Sequence, residues 1–348
     1  MRVGLYIDLR NPPPWRRPWA SHYERVLSRI ERSEELGLGA AWLTEHHFFE
    51  DGYLPQPLTF AAAIAARTSR IRIGTAIMVA GLRPAVDVAE QAAIVDVLSN
   101  GRLELGLGAG YRKVEFDSFG ADIKERYELL ESRAREIRSL WADGGVTPSP
   151  LQERPPIWIG GRGPRAARIA GRLGEGMLWL GSEILEPYRQ ALAANEHPPD
   201  SARLAGLANL IVADDPERAW REIKPHLAYQ LATYSHYGRE GAERSGSGAI
   251  EAIGEDFDPE TIRSRGPKMS VPAFDVVDAG EAVSRLRLWL DRLPVSDVVF
   301  WDTIAGMPDE LADRHVELLA REVAPKLANL GIQAGAEAPN ESPDSPPG

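Results

Sequence analysis

The sequence predicts a single (β/α)8 barrel. Three observations carry that expectation. Strand-like and helix-like segments alternate along the chain, eight of them are strand-like, and 348 residues suit one barrel with insertions. Repeated β-then-α units imply parallel strands, and eight imply closure. An open doubly wound sheet is the competing reading of the same alternation.

The elements follow in order. A first strand over 2–9 brings Asp8 to its end, and a helix over 22–36 is closed by Gly37. A second strand, 40–46, leads to an alanine-rich helix at 57–67. The third strand, 70–78, alternates apolar residues, and Pro84 opens a helix running to residue 98. The fourth strand, 103–110, precedes a long charged amphipathic helix at 123–142. Further strands are expected at 156–161, 176–180, 205–213 and 296–302, with helices at 164–173, 184–195, 216–234, 279–293 and 309–327. Two regions break the rhythm. Residues 235–277, rich in Gly, Ser, Glu and Asp, read as an insertion at the mouth, partly helical or mobile, in a position to act as a lid. Residues 331–348 read as a disordered tail, which leaves 1–330 as the barrel domain.

Composition removes several functions. A net charge of -11 argues against nucleic acid as a partner. With no cysteine, disulfides, thiolate nucleophiles and cysteine-ligated zinc or iron–sulfur centres are excluded. The first residues lack the apolar core and cleavage site of a signal peptide, and no apolar run is long enough to span a bilayer. The expectation is a cytoplasmic protein without a membrane partner.

Barrel enzymes place their chemistry at the C-terminal ends of the strands. In Trp42-Leu43-Thr44-Glu45-His46-His47-Phe48, alternation sends His46 and His47 to opposite sides. One can face the mouth and exchange protons near neutral pH, or both can cap the strand end structurally. No third His or carboxylate stands at a metal-ligand spacing, so no metal is expected. On the fourth strand, Leu103, Leu105 and Leu107 face the outer helices, while Glu104, Gly106 and Gly108 line the barrel. Those glycines either admit something flat or serve tight barrel packing. Glu104, deep inside, needs a partner, and Arg72 on the adjacent strand is the candidate. In Ile157-Trp158-Ile159-Gly160-Gly161-Arg162-Gly163-Pro164, a strand ends in glycines and Pro164 opens a helix. Its free N–H groups, with Arg162 and Arg165 beside them, suit a phosphate, though a plain tight turn reads the same way.

These segments, with Ile73-Gly74-Thr75-Ala76-Ile77, Gly108-Ala109-Gly110-Tyr111 and Glu115-Phe116-Asp117-Ser118-Phe119-Gly120, resemble the bacterial-luciferase-like family. Order and spacing agree from residue 2 to about 180, and more loosely beyond. The resemblance implies a flavin, reduced FMN or the deazaflavin F420, at the C-terminal mouth. It implies His46 as the catalytic group and a non-prolyl cis peptide at Ala76-Ile77 beneath the flavin ring. It also implies that Gly161, Arg162 and Gly163 meet the flavin phosphate. Strand ends and resemblance together assign the cofactor to Thr75, Ala76, Ile77, Gly108, Gly110, Tyr111, Gly160, Gly161, Arg162 and Gly163. They assign the substrate to Asp8, His47 and Trp179.

Two departures stand out. Luciferase carries a phosphate-pairing arginine after its fourth strand, where this chain has Ala109. Either Arg162, Arg165 or Arg112 takes that role, or the cofactor is F420. The stretch from 142 to 155 is also short, which opens the mouth. Three functions follow from the resemblance. One is an FMN- and O2-dependent monooxygenase fed by a separate flavin reductase. The others are an F420-dependent dehydrogenase or reductase, and an inactive flavin-binding partner subunit. Trp15, Trp19, Phe48, Phe49, Tyr53, Trp179 and Trp301 suggest a largely apolar small-molecule pocket, or core. The small-residue surface from Phe60 to Ala66 suits a homodimer contact or plain packing on the barrel.

Overall fold

The computed structural model describes residues 1–245, 258–264 and 274–328. The strands run β1 (Arg2–Ile7), β2 (Ala40–Leu43), β3 (Arg72–Thr75), β4 (Met78–Val79), β5 (Leu103–Gly108), β6 (Ile157–Gly160), β7 (Gly176–Leu178) and β8 (Leu204–Ala208). Then come β9 (Leu210–Val212), β10 (Asp275–Val277) and β11 (Val295–Trp301). Nine of them form one sheet; β3 and β4 are two halves of one broken strand, which leaves eight barrel positions. Every pairing is parallel, and β11 closes on β1 with Arg2 opposite Asp297. The chain is therefore a closed (β/α)8 barrel, as its alternation predicts.

The surrounding helices are α1 (Trp19–Leu36), α2 (Pro57–Arg67), α3 (Ala85–Leu98), α4 (Lys113–Phe119), α5 (Arg126–Ala142), α6 (Pro164–Leu173) and α7 (Leu185–Ala194). They continue as α8 (Pro216–Ser245), α9 (Glu260–Ser264), α10 (Ala279–Trp289), α11 (Asp309–Leu318) and α12 (Ala324–Leu327). Leu103, Leu105 and Leu107 are wholly buried in the layer between strands and helices, as period two requires. The barrel interior instead packs Ala40, Trp42, Trp158, Ala205 and Val299. Trp42 and Trp158 meet edge to face at 5.8 Å. Gly74 and Gly176 are what make room for these rings: a Cβ there would lie 2.4 Å from Trp42 and 2.3 Å from Trp158.

Three expectations are corrected. The strand expected at 205–213 is two strands. Asn209 ends β8, its side chain accepting from Trp301 Nε1 at 3.0 Å and its carbonyl from Asp275 N at 3.2 Å. β9 then leaves the barrel and pairs with β10, inside the stretch read as an insertion. The helix expected to stop at 234 continues to Ser245 as α8. A short helix, α4, occupies 113–119, where none was expected. Residues 246–257 and 265–273 of the proposed lid and the whole tail from 331 lie outside the described residues. Among the described residues no helix is long and apolar enough to cross a membrane.

Candidate active site

His46 follows the end of β2, and the protein anchors both of its ring nitrogens. Nδ1 lies 2.9 Å from Glu115 Oε1, on α4. Nε2 lies 3.1 Å from the Tyr111 hydroxyl, just after β5. Glu115 is fully buried, and its Oε1 also accepts from His47 N and Arg112 Nη1, each at 2.9 Å. Burial alone would raise this carboxyl. The hydrogen bond and charge of His46, the His47 amide and the Arg112 cation outweigh burial and hold it below the usual range. An ionised Glu115 can only accept, so Nδ1 donates to it. Burial first, then the nearby Glu115 charge, pushes Tyr111 up to about 12, so its hydroxyl stays neutral and shares a hydrogen bond with Nε2. Phe49, Tyr53 and Tyr111 wall the imidazole at ring distances of 4.9–5.3 Å.

Opposite His46, β1 brings Asp8 and Arg10 to the same mouth. Asp8 is 2% exposed, and its Oδ1 accepts from Arg10 N at 3.1 Å. Burial pushes Asp8 up to about 7 against the pull of Arg10. The Arg10 guanidinium pairs with Asp51 at 2.7 Å and donates to Thr233 on α8. Phe49, Tyr53, Tyr229 and Tyr234 ring it, with centroids 5.3–5.7 Å away. Tyr53 and Tyr234 share a hydroxyl–hydroxyl bond of 3.0 Å, so α8 roofs the mouth.

The third wall is the break between β3 and β4. The Ala76-Ile77 peptide is cis, as the resemblance implies, and both residues are half-buried at the mouth. Tyr6 donates to the Ala76 carbonyl at 3.0 Å, and Thr75 Oγ1 is bracketed by the Gly106 N–H and carbonyl, both at 2.8 Å. Of the two readings of the strand glycines, tight packing is what the structure shows: their space is filled by the protein itself. A Cβ on Gly108 or Gly160 would meet Ile77 at 2.6 or 2.3 Å, and one on Gly106 would meet the Thr75 carbonyl at 1.8 Å. Their place in the site is to seat the bulge. Gly110 has φ +70, which only glycine takes readily, and a Cβ there would strike Val79.

At the β6–α6 turn, Gly163 caps α6 with no side-chain hydrogen bond, and the first turn holds no acid. Its free N–H groups suit an anion. Arg162 lies over Trp179 at 5.4 Å, and Arg165 over Tyr127 at 4.1 Å. Trp179 thus stands on the turn side, its Nε1 donating to Glu183 at 2.6 Å. His47 points away from His46. Its ring bonds Glu45 at 3.2 Å and packs on Phe119, while Glu45 also takes Arg83 and the Val79 amide, each at 2.5 Å. Arg112 is spent on Glu115 and the His47 carbonyl, buried away from the turn.

Glu115, Arg10, Tyr6 and Tyr234 were missed as site residues by sequence reasoning. The one available signal was Arg112 and Glu115 three residues apart, a helical pairing in a segment read as loop.

A closed parallel barrel with its titratable groups gathered at the C-terminal mouth places the chain among the (β/α)8 enzymes. The family model described as luciferase-like monooxygenase matches residues 1–278, and the chain belongs to that family. It is 27% identical over 330 residues to an F420-dependent glucose-6-phosphate dehydrogenase of Amycolatopsis mediterranei (strain U-32), covering 86% of this chain and 93% of that one. It is 25% identical over 365 residues to the oxygenase component of a flavin-dependent trigonelline monooxygenase of Acinetobacter baylyi (strain ATCC 33305 / BD413 / ADP1), covering 95% and 97%. The crystal structure of monooxygenase RslO1 from Streptomyces bottropensis shares the fold, with a TM-score of 0.71 at 24% identity over 93% of this chain and 99% of that one. The relatives it resembles thus include both a flavin-dependent and an F420-dependent oxidoreductase.

Proposed function

We propose that this protein is the oxygenase of a two-component monooxygenase. It holds reduced FMN at the barrel mouth and uses O2 to oxidise a small organic substrate, with a separate flavin reductase supplying the reduced cofactor. The observation that carries this reading is the Glu115–His46–Tyr111 chain, which ends in a proton-exchanging group inside a ring of aromatic side chains.

The residues present fit a flavin. The half-buried Ala76 and Ile77 would support its ring system. Gly161, Arg162 and Gly163, at the uncapped α6 terminus, would hold its phosphate. Bound there, the cofactor supplies the two electrons that reduce oxygen. The chain supplies proton handling and exclusion of water. His46 exchanges a proton at Nε2, and its imidazolium form is stabilised by ionised Glu115 through Nδ1. Tyr111, kept neutral, hydrogen-bonds at the same point. Phe49, Tyr53 and the roof of α8 keep water from the reacting atoms.

F420-dependent hydride transfer is the second reading. Two observations favour it: the similarity to an F420-dependent dehydrogenase, and Ala109 where luciferase carries arginine, with Arg112 committed elsewhere. Fluorescence titration with FMN and with F420 separates them. Tight FMN binding, with His46→Ala keeping the cofactor but losing turnover, supports the oxygenase. Binding of F420 alone moves the protein to the second reading, and binding of neither removes both.

We also propose a homodimer through α2 and α3. Val86, Ile94, Val97 and Leu98 remain exposed on α3, an apolar surface that a solvent-facing helix does not need. A monomeric mass by light scattering would remove it.

A further inference from the structure

Asp8 Oδ2 and Arg10 Nη1 are among the polar atoms at the mouth buried with no hydrogen-bond partner among the described residues. One is an acceptor and the other a donor, and they do not bond each other. Leaving such groups unpaired costs about 1–3 kcal/mol each, more when charged, so native structures rarely tolerate them without a use. Both lie in one cluster of buried side chains. The Arg10 guanidinium lies 5.6 Å from the Tyr53 ring and 5.3 Å from the Tyr234 ring. The Asp8 charge acts on the same two tyrosines and raises both. His46 borders that cluster through Tyr53, 4.9 Å away. On α8, the buried Gln230 Oε1 is a third unpartnered atom, one helical turn from Tyr234.

We propose that this cluster takes a substrate with an aromatic ring and two polar ends, a protonated amine on Asp8 and a carboxylate on Arg10. The ring lies against Tyr53 and Tyr234, within reach of His46. The inference rests on the mouth being the reaction site, and it replaces the apolar substrate that the aromatic residues suggest in the sequence. Each unpartnered atom finds its complement. The amine N–H donates to Asp8 Oδ2, and the carboxylate accepts from Arg10 Nη1, both charge-assisted. Asp51 neutralises only part of the guanidinium's hydrogen-bonding capacity, because Nη1 stays unused. An acid that burial pushes up to about 7 is also one that a neighbouring cation readily ionises.

Calorimetric titration of the full chain with 3- and 4-(aminomethyl)benzoate, benzoate and benzylamine tests this. At least one amino acid of the pair should bind about tenfold or more tighter than both single-ended probes, the worth of one charge-assisted hydrogen bond. Asp8→Asn should erase the advantage over benzoate and leave benzoate itself within about twofold. Equal binding of all four probes, binding of none, or an advantage that survives Asp8→Asn overturns the proposal. If Asp8→Asn does not fold, the ratio in the unmodified protein decides. FMN titration of the same preparations reads the function separately. Probe discrimination without flavin binding keeps this pocket and removes the flavin reading, whereas flavin binding without discrimination does the reverse.

Discussion

The two ends of the barrel bury similar charges and treat them differently. At the N-terminal floor, Glu104 accepts from Arg2, Arg72 and Trp158 Nε1, each at 2.7 Å, and Asp297 takes Arg2 at 2.6 Å. Neither of these two carboxyls is left with an unpartnered oxygen, although Glu175 Oε2, just before β7, is. At the C-terminal mouth, Asp8 and Arg10 each keep an unused atom, and His46 presents an anchored ring to the pocket. A buried charge whose every bond is met within the chain is a strut. One left incomplete inside a pocket is set for something that arrives from outside. The difference matches the general division of (β/α)8 barrels into a stabilising floor and a reactive mouth.

The contrast can be broken by substitution at each end. The largest effect is expected at His46. His46→Ala should lower turnover by about 100-fold or more, the scale of general acid–base catalysis, with thermal stability nearly unchanged. Steady-state kinetics alongside calorimetry check both halves, and a loss of folding with the loss of turnover would make His46 another strut. Glu104→Ala should do the opposite. It strands Arg72 and the Trp158 N–H, costs about 3 kcal/mol in denaturant unfolding, and leaves FMN affinity unchanged.

The third prediction concerns pH. Asp8 is raised from 3.8 to about 7 in the fold, so between those values the folded state binds the proton that the unfolded chain releases. Its contribution to stability is therefore greatest at low pH, falls as pH rises from about 4 to 7, and is flat beyond. Asp8→Asn should match the unmodified protein at pH 4 and exceed it by about 2–4 kcal/mol at pH 7.5. A stability difference independent of pH would show that the fold does not raise Asp8. The smallest effect is expected at Tyr6→Phe, which removes the bond to the Ala76 carbonyl. It should cost about 1 kcal/mol and weaken FMN binding only a few fold.

The barrel was legible because each βα unit carries its own local signals: Gly37 closing α1, Pro164 opening α6, and alternating leucines on β5. The Arg72–Glu104 pair could be read for the same reason, since adjacent strands set their register. The β9–β10 pair could not. Leu210, Ile211 and Val212 follow β8 after a single residue, and their partner strand lies sixty-odd positions on, as the pairing of Leu210 with Asp275 shows. The site was half legible. His46 stood at a strand end, where position alone suggests chemistry. What makes it useful is contact at long range: Glu115 reaches it from a helix that looked like loop, and α8 supplies Thr233 and Tyr234 to the Arg10 cage from far along the chain. Glycines on β5 left two readings open for a related reason. An absent side chain shows that something fits there, not whether it is a ligand or, as here, Ile77.

The contrast between mouth and floor reduces to one measurement. Imidazole nitrogen NMR of the labelled protein reads His46 beside the pocket and His315, buried against the Val212 amide and outside it, in one spectrum. The expected result has His46 protonated at Nδ1. Reduced FMN, or F420, should then move the His46 signals and leave those of His315 in place. If neither cofactor moves His46, or if both histidines move together, the mouth is not where this protein holds its cofactor.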